Sequence, residues 1–183
     1  MKAIRLILLS SLAFALNTVY AQKVPPAADI VMTKTYQQAE KEKKNVLLIF
    51  HASWCGWCRK MDSSINDISC KKLFTDNYVI EHLDVQEKAD KKYLENAGAE
   101  ELMEKFNGKD QGLPYWVVLD SKGKLLFDSQ MKTTDADGKI KAANIGCPAS
   151  GEEVKTFVNI LKQTSSLGFE QLRIIANRFL LNQ

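Results

Sequence analysis

The chain has 183 residues, 45% of them hydrophobic and 26% charged, with 9 Gly and 4 Pro, a balance that excludes disordered, collagen-like and multi-pass membrane proteins. Its formal charge is +3, from 25 Lys plus Arg against 22 Asp plus Glu. With Lys2 and Arg5 in a removable leader the remainder is close to neutral, which gives no nucleic-acid footprint.

Met1 to Ala21 carries two cations, an apolar run from Leu6 to Leu16, and a Val19-Tyr20-Ala21 end, the pattern of a signal peptide cut after Ala21. The run falls short of the roughly 20 apolar residues that a membrane span needs, so no stable membrane insertion is expected after cleavage. Residues 22–33, with Pro25-Pro26, read as a linker, and 34–183 as one domain. Export puts Cys55, Cys58, Cys70 and Cys147 in the periplasm or outside the cell, where disulfides persist.

Thr35 to Lys44 is polar with Tyr36 and Ala39 as a sparse apolar face, a surface helix. In Asn45 to His51, the continuous apolar run Val46 to Phe50 predicts a central strand covered on both faces. Ala52 to Cys58 leads into a helix running toward Asp67 and resuming through Leu73 and Phe74, and Tyr78 to Val85 is a second strand. Gln86 to Gly98 is a charged insertion. Glu100 to Phe106 is a short helix with Leu102, Met103 and Phe106 on one face and Gly108 as its stop. Tyr115 to Leu119 and Leu125 to Ser129 flank Asp120-Ser121-Lys122-Gly123, a hairpin signal. Met131 to Ala149 reads as a long connection.

Ser150 and Glu153 form a capping box before a stripe of Val154, Phe157, Val158 and Leu161, and a further helix runs from Phe169 to Leu181. The order of elements predicts an α/β sandwich with a mixed sheet, a helical insertion at 86–98 and an extra C-terminal helix over 168–182.

The chemistry is concentrated at Trp54-Cys55-Gly56-Trp57-Cys58. A C-x-x-C directly after a buried strand and opening a helix sets the first sulfur over unpaired N–H groups, where an anion is stabilised. That lowers the Cys55 pKa from the free value of about 8.5 and makes its thiolate a nucleophile toward disulfides. Cys58, one helical turn on, is placed to resolve the mixed disulfide. Cys70 and Cys147 either form a second disulfide or are two small buried hydrophobes. Two other function classes compete: copper or zinc binding by Cys55 and Cys58 with His51 or His82, and a non-catalytic peptide-binding module.

Between about Thr35 and Leu161 the chain resembles the thioredoxin superfamily. The matching parts are the Val46 to Phe50 strand, the W-C-x-x-C motif, the Glu101 to Phe106 helix, the Gly112-Leu113-Pro114 step and the hairpin after it. It looks most like exported bacterial members whose W-C-G-W-C motif continues as Arg59-Lys60-Met61-Asp62 does here. The resemblance implies a three-layer sandwich and a thiol–disulfide oxidoreductase with Cys55 and Cys58 catalytic. It further implies a cis Pro114 facing the cysteines, and Trp54, Gly56, Trp57, Leu113 and Pro114 against substrate. It implies no cofactor and no metal, a monomer, protein or peptide disulfide substrates, and a membrane electron donor. Two departures stand out. Ile49 occupies the position where thioredoxins often carry a buried acid, which leaves proton transfer to water, Glu81 or Asp84, the bland alternative being that both acids are solvated strand-end charges. Trp57 replaces a Pro, which restores a main-chain N–H near the Cys55 sulfur.

Overall fold

The computed structural model describes residues 24–134 and 137–183; the signal-peptide reading of 1–21 falls outside them.

The first helix, α1 (Ala28–Glu42), begins at Ala28 rather than at Thr35. Its buried face is Ala28, Met32, Thr35 and Ala39 at helical spacing, and with Met32 as the single large apolar side chain among these four the hydrophobic signal is weak. β1 (Asn45–His51) follows and is the spine of the molecule, with Val46 through Phe50 all buried. Alternate side chains enter two separate cores: Leu47 and Ile49 one, Val46, Leu48 and Phe50 the other. Each fully buried side chain of this size contributes roughly 1.5–3 kcal/mol, so the apolar run is a strand because both of its faces are covered.

The helix after β1 breaks into α2 (Gly56–Ile65) and α3 (Lys71–Asn77), separated by a turn in which Asp67 accepts hydrogen bonds from Ser69 N–H (2.9 Å) and Oγ (2.7 Å). β2 (Tyr78–Asp84) then pairs in parallel with β1, Asn45 opposite Tyr78 and His51 opposite Asp84. The charged insertion contains a 3-10 turn at Ala89–Leu94 and leads into α4 (Ala99–Lys105). α4 stops at Asn107, whose φ is +67°, and Gly108 follows because a Cβ there would lie 2.5 Å from Met103 Cγ.

β3 (Tyr115–Leu119) runs antiparallel to β1, and β4 (Leu125–Asp128) antiparallel to β3, giving a mixed sheet of order β2-β1-β3-β4. α1 and α4 cover one face of the sheet. The other is covered by α2, α3 and two C-terminal helices, α5 (Gly151–Thr164) and α6 (Phe169–Leu180), so the fold is the three-layer sandwich expected. The Ser150–Glu153 capping box is formed at the start of α5, and Phe74, Phe157, Phe179 and Trp116 make an aromatic core beneath it.

The Met131 to Ala149 connection is not a loop. It holds β5 (Gln130–Thr134) and β6 (Ile140–Asn144), an antiparallel pair forming its own two-stranded sheet. β5 and β6 are mostly exposed, so no apolar alternation marks them, although Asp137-Gly138 is a turn signal. Cys70 and Cys147 are both free thiols buried in the larger core, which decides for small hydrophobes over a second disulfide. Among the described residues, no helix is long and apolar enough to cross a membrane.

Candidate active site

The chain leaves β1 at His51 and turns through Ala52, Ser53 and Trp54, closed by a hydrogen bond from Cys55 N–H to the Ala52 carbonyl (3.0 Å). Cys55 is the N-cap of α2, in extended conformation, and its Sγ accepts the Cys58 N–H at 3.0 Å. A helix start leaves its first N–H groups without intrahelical partners, and a side-chain acceptor at the N-cap satisfies one of them. Here that acceptor is sulfur. Cys55 and Cys58 are joined in a disulfide, with Cα atoms 5.3 Å apart, and both residues are 2% exposed. The donor on the Cys55 sulfur is thus Cys58 N–H.

Ala52, Cys55 and Cys58 form a small apolar cluster against which Leu113 packs. The Leu113–Pro114 peptide bond is cis, and Pro114 is buried. Trp54 and Trp57 stand at the rim, 45% and 47% exposed. Trp54 Nε1 donates to the Gln86 carbonyl (2.8 Å), and Lys60 Nζ lies 4.3 Å above the Trp57 ring. Gly56 is open: a Cβ there would meet only the Arg59 guanidinium, at 3.8 Å. The structure therefore gathers Trp54, Cys55, Gly56, Trp57, Cys58, Leu113 and Pro114 at one end of the sheet.

Ile49 is buried in the larger core, paired with His82 on β2 and Trp116 on β3. Of the two acids weighed in its place, Glu81 is turned toward α1, where it accepts from Thr35 Oγ1 at 2.8 Å. Asp84 sits 3.3 Å from His51 Nε2. Burial raises the Asp84 pKa and lowers that of His51. His82 Nε2 is 2.8 Å from Asp62, one turn beyond Cys58 on α2, and the two imidazoles lie 5.0 Å apart. Both histidines are thus engaged by carboxylates. Among the described residues no group of three or more His, Cys, Asp or Glu is arranged to hold a metal.

Two polar residues of the site were not legible beforehand. Glu87, only 4% exposed, accepts hydrogen bonds from both the N–H and the hydroxyl of Ser53. It lies in a stretch where charge is common, so nothing in the sequence singles it out. Asn144, at the end of β6, reaches the carbonyls of Gly112 and Pro114.

A family model described as Thioredoxin-like domain matches residues 32–144, more than half of the chain. No curated protein matches the sequence. Among solved structures, a disulphide isomerase from Xylella fastidiosa Temecula1 is 27% identical, over 62% of this chain and 80% of its own, with a TM-score of 0.47. DsbH oxidoreductase is 19% identical over 71% of this chain and 81% of its own, with a TM-score of 0.44. The C-terminal domain of DsbD from Neisseria meningitidis, in its oxidised form, is 15% identical over 76% and 97%, with a TM-score of 0.46.

Proposed function

The chain belongs to the thioredoxin-like family, and from that premise we propose that it is an exported thiol–disulfide oxidoreductase that reduces protein disulfides through Cys55 and Cys58. Thiol–disulfide exchange itself follows from the family and from the C-x-x-C pair. The observation that carries the assignment of roles is the Cys55 sulfur at the N-cap of α2, where the Cys58 N–H meets it at 3.0 Å. An amide that hydrogen-bonds the sulfur, together with the helix dipole, favours thiolate over thiol.

In the reduced protein, Cys55 thiolate attacks one sulfur of a substrate disulfide. A mixed disulfide forms and the other substrate sulfur leaves as thiolate, taking a proton from water. Cys58 gives up its proton and attacks Cys55 Sγ, the mixed disulfide breaks, and the second substrate thiolate departs. Two electrons have passed from the cysteine pair to the substrate, and the pair is left as the Cys55–Cys58 disulfide. Trp54, Gly56, Trp57, Leu113 and Pro114 form the substrate face around it. Resetting the pair takes a two-electron dithiol donor. For an exported protein that donor draws electrons across the membrane, and the leader-like pattern of residues 1–21 supports export.

The experiment is the equilibrium of the Cys55–Cys58 couple against glutathione, together with trapping in a Cys58→Ser variant. A potential near that of thioredoxin, about −270 mV, and a mixed disulfide accumulating on Cys55 are the expected results. A potential near −120 mV reverses the direction of electron flow, and trapping on Cys58 in a Cys55→Ser variant instead reverses the roles.

A further inference from the structure

Granting the exchange chemistry proposed above, we infer that Asn144 fastens the β5–β6 hairpin to the Leu113–Pro114 turn and makes the hairpin a second wall of the cleft in which an extended, disulfide-bearing peptide lies. The Asn144 amide is fully used. Its Nδ2 donates to the Gly112 carbonyl (2.6 Å) and the Pro114 carbonyl (3.1 Å). Its Oδ1 accepts from Ser129 Oγ (2.8 Å) and from Gly146 N–H (3.0 Å). Main-chain carbonyls only accept and a main-chain N–H only donates, so this amide has one orientation that satisfies all its partners.

The two carbonyls it holds lie on either side of Leu113. The N–H and C=O of Leu113 itself have no partner among the described residues. An extended peptide added beside such free groups pairs with them as a strand does. Asn144 therefore occupies the neighbouring acceptors and leaves the substrate-facing pair open.

The strand that enters the hairpin is held at the same base as Asn144. Ser129, fully buried, accepts the Trp116 N–H on its Oγ (3.2 Å) and the Ile145 N–H on its carbonyl (2.9 Å). Both ends of the β5–β6 insertion are thereby tied to β3 and to the proline turn. The space this creates is a cleft of about 520 Å³, to which Trp57, Gly112 and Leu113 contribute from the active-site loops and Ala142 and Ala143 from β6. Ala142, on the same face of β6 as Asn144, is exposed and puts only a methyl group there, which leaves room for the substrate's own side chains. The class of ligand is an extended polypeptide that carries a cystine.

The test compares rate constants of the reduced protein with insulin and with a small aromatic disulfide, dithiobis-nitrobenzoate, in the wild type, N144A and A142W. The small disulfide needs no cleft. N144A is expected to lower the ratio of insulin to small-disulfide rate constants about tenfold, as loss of two positioning hydrogen bonds would, through KM rather than kcat. A142W, at an exposed strand position, fills the cleft and lowers the ratio at least as far, and it decides the matter if N144A does not fold. A ratio unchanged in either folded variant overturns the inference. A wild type that exchanges with neither disulfide overturns the reading of the site itself, and the cleft with it.

Discussion

The Glu87 carboxylate holds Ser53 twice, at its main-chain N–H and at its hydroxyl (2.8 Å), two residues ahead of Cys55. Arg59 Nη1 donates to the Ser53 carbonyl at 3.1 Å, and Trp54 Nε1 donates to the Gln86 carbonyl at 2.8 Å. The insertion after β2 is therefore laced to the loop that presents Cys55. Hydrogen bonds to a charged acceptor contribute about 1.5–3 kcal/mol each, less where one partner is exposed, as Ser53 is. E87A, which removes both, is expected to cost about 2 kcal/mol. In a chain of this size that lowers Tm by roughly 4–8 °C. E87Q keeps an acceptor for the N–H and offers a donor to the hydroxyl, so it should lose less than half as much. Thermal melts of the two variants check this, and equal losses would mean that the charge, not the hydrogen-bond pattern, holds the loop.

Burial pushes the Cys147 thiol up to about 12 and that of Cys70 upward as well. Neither is a nucleophile near neutral pH. In the reduced, folded protein at pH 8, iodoacetamide should label Cys55 first, and Cys70 and Cys147 only after urea is added. The sign of the stability effect follows from the same shift. The folded state keeps these thiols protonated more strongly than the unfolded chain does, so their contribution is whole below the ordinary thiol pKa and is lost as pH rises from there toward 12. C147A should flatten the alkaline side of the stability curve, measured by urea denaturation between pH 8 and pH 10.

How far the sequence could be read depends on where each element's information lies. β1 was legible to its ends because every residue from Val46 to Phe50 is buried, and the cysteine motif beside it inherits its context from that strand. β5 and β6 were not, because a mostly exposed hairpin needs no apolar alternation. The start of α1 was hidden in the same way by a buried face that includes Ala28, Thr35 and Ala39. Glu87 and Asn144 act across 34 and 32 positions of chain, on Ser53 and Gly112. Only the fold brings those pairs together, and no local pattern encodes them.

Trp57 stands half exposed at the mouth of the cleft with the Lys60 ammonium 4.3 Å over its ring. A large, stiff aromatic at such a rim supplies contact area to an extended peptide with little entropy lost. W57A is expected to raise KM for insulin roughly fivefold, on the scale of the 1 kcal/mol that an aromatic contact contributes. Its folding should be unaffected, since the ring packs in neither main core. Steady-state kinetics with insulin check the first expectation and a thermal melt the second. An unchanged KM would remove Trp57 from the substrate face.

His51 and Asp84 close the C-terminal ends of β1 and β2 as a facing pair, 3.3 Å apart. Desolvation is the largest influence on His51 and lowers its pKa. His82 acts in the same direction, while Asp84, Asp62 and Glu87 oppose it. The folded protein therefore resists protonating this imidazole more than the unfolded chain does. The stability this represents is whole above the unfolded histidine value of about 6.5 and is lost as pH falls through the lower folded value. Asp84 has the opposite sign: burial raises its pKa, so its contribution is whole below about 3.9 and is lost as pH rises through its folded value. On acidification from pH 7.5, Tm should first decline as His51 is forced to take its proton, and part of the loss should return at lower pH as Asp84 becomes neutral. H51Q removes the imidazole and should abolish the first decline, leaving the Asp84 limb. Calorimetric melts of wild type and H51Q between pH 7.5 and pH 4 measure both limbs. Superimposable curves would show that the His51–Asp84 pair contributes nothing to acid sensitivity.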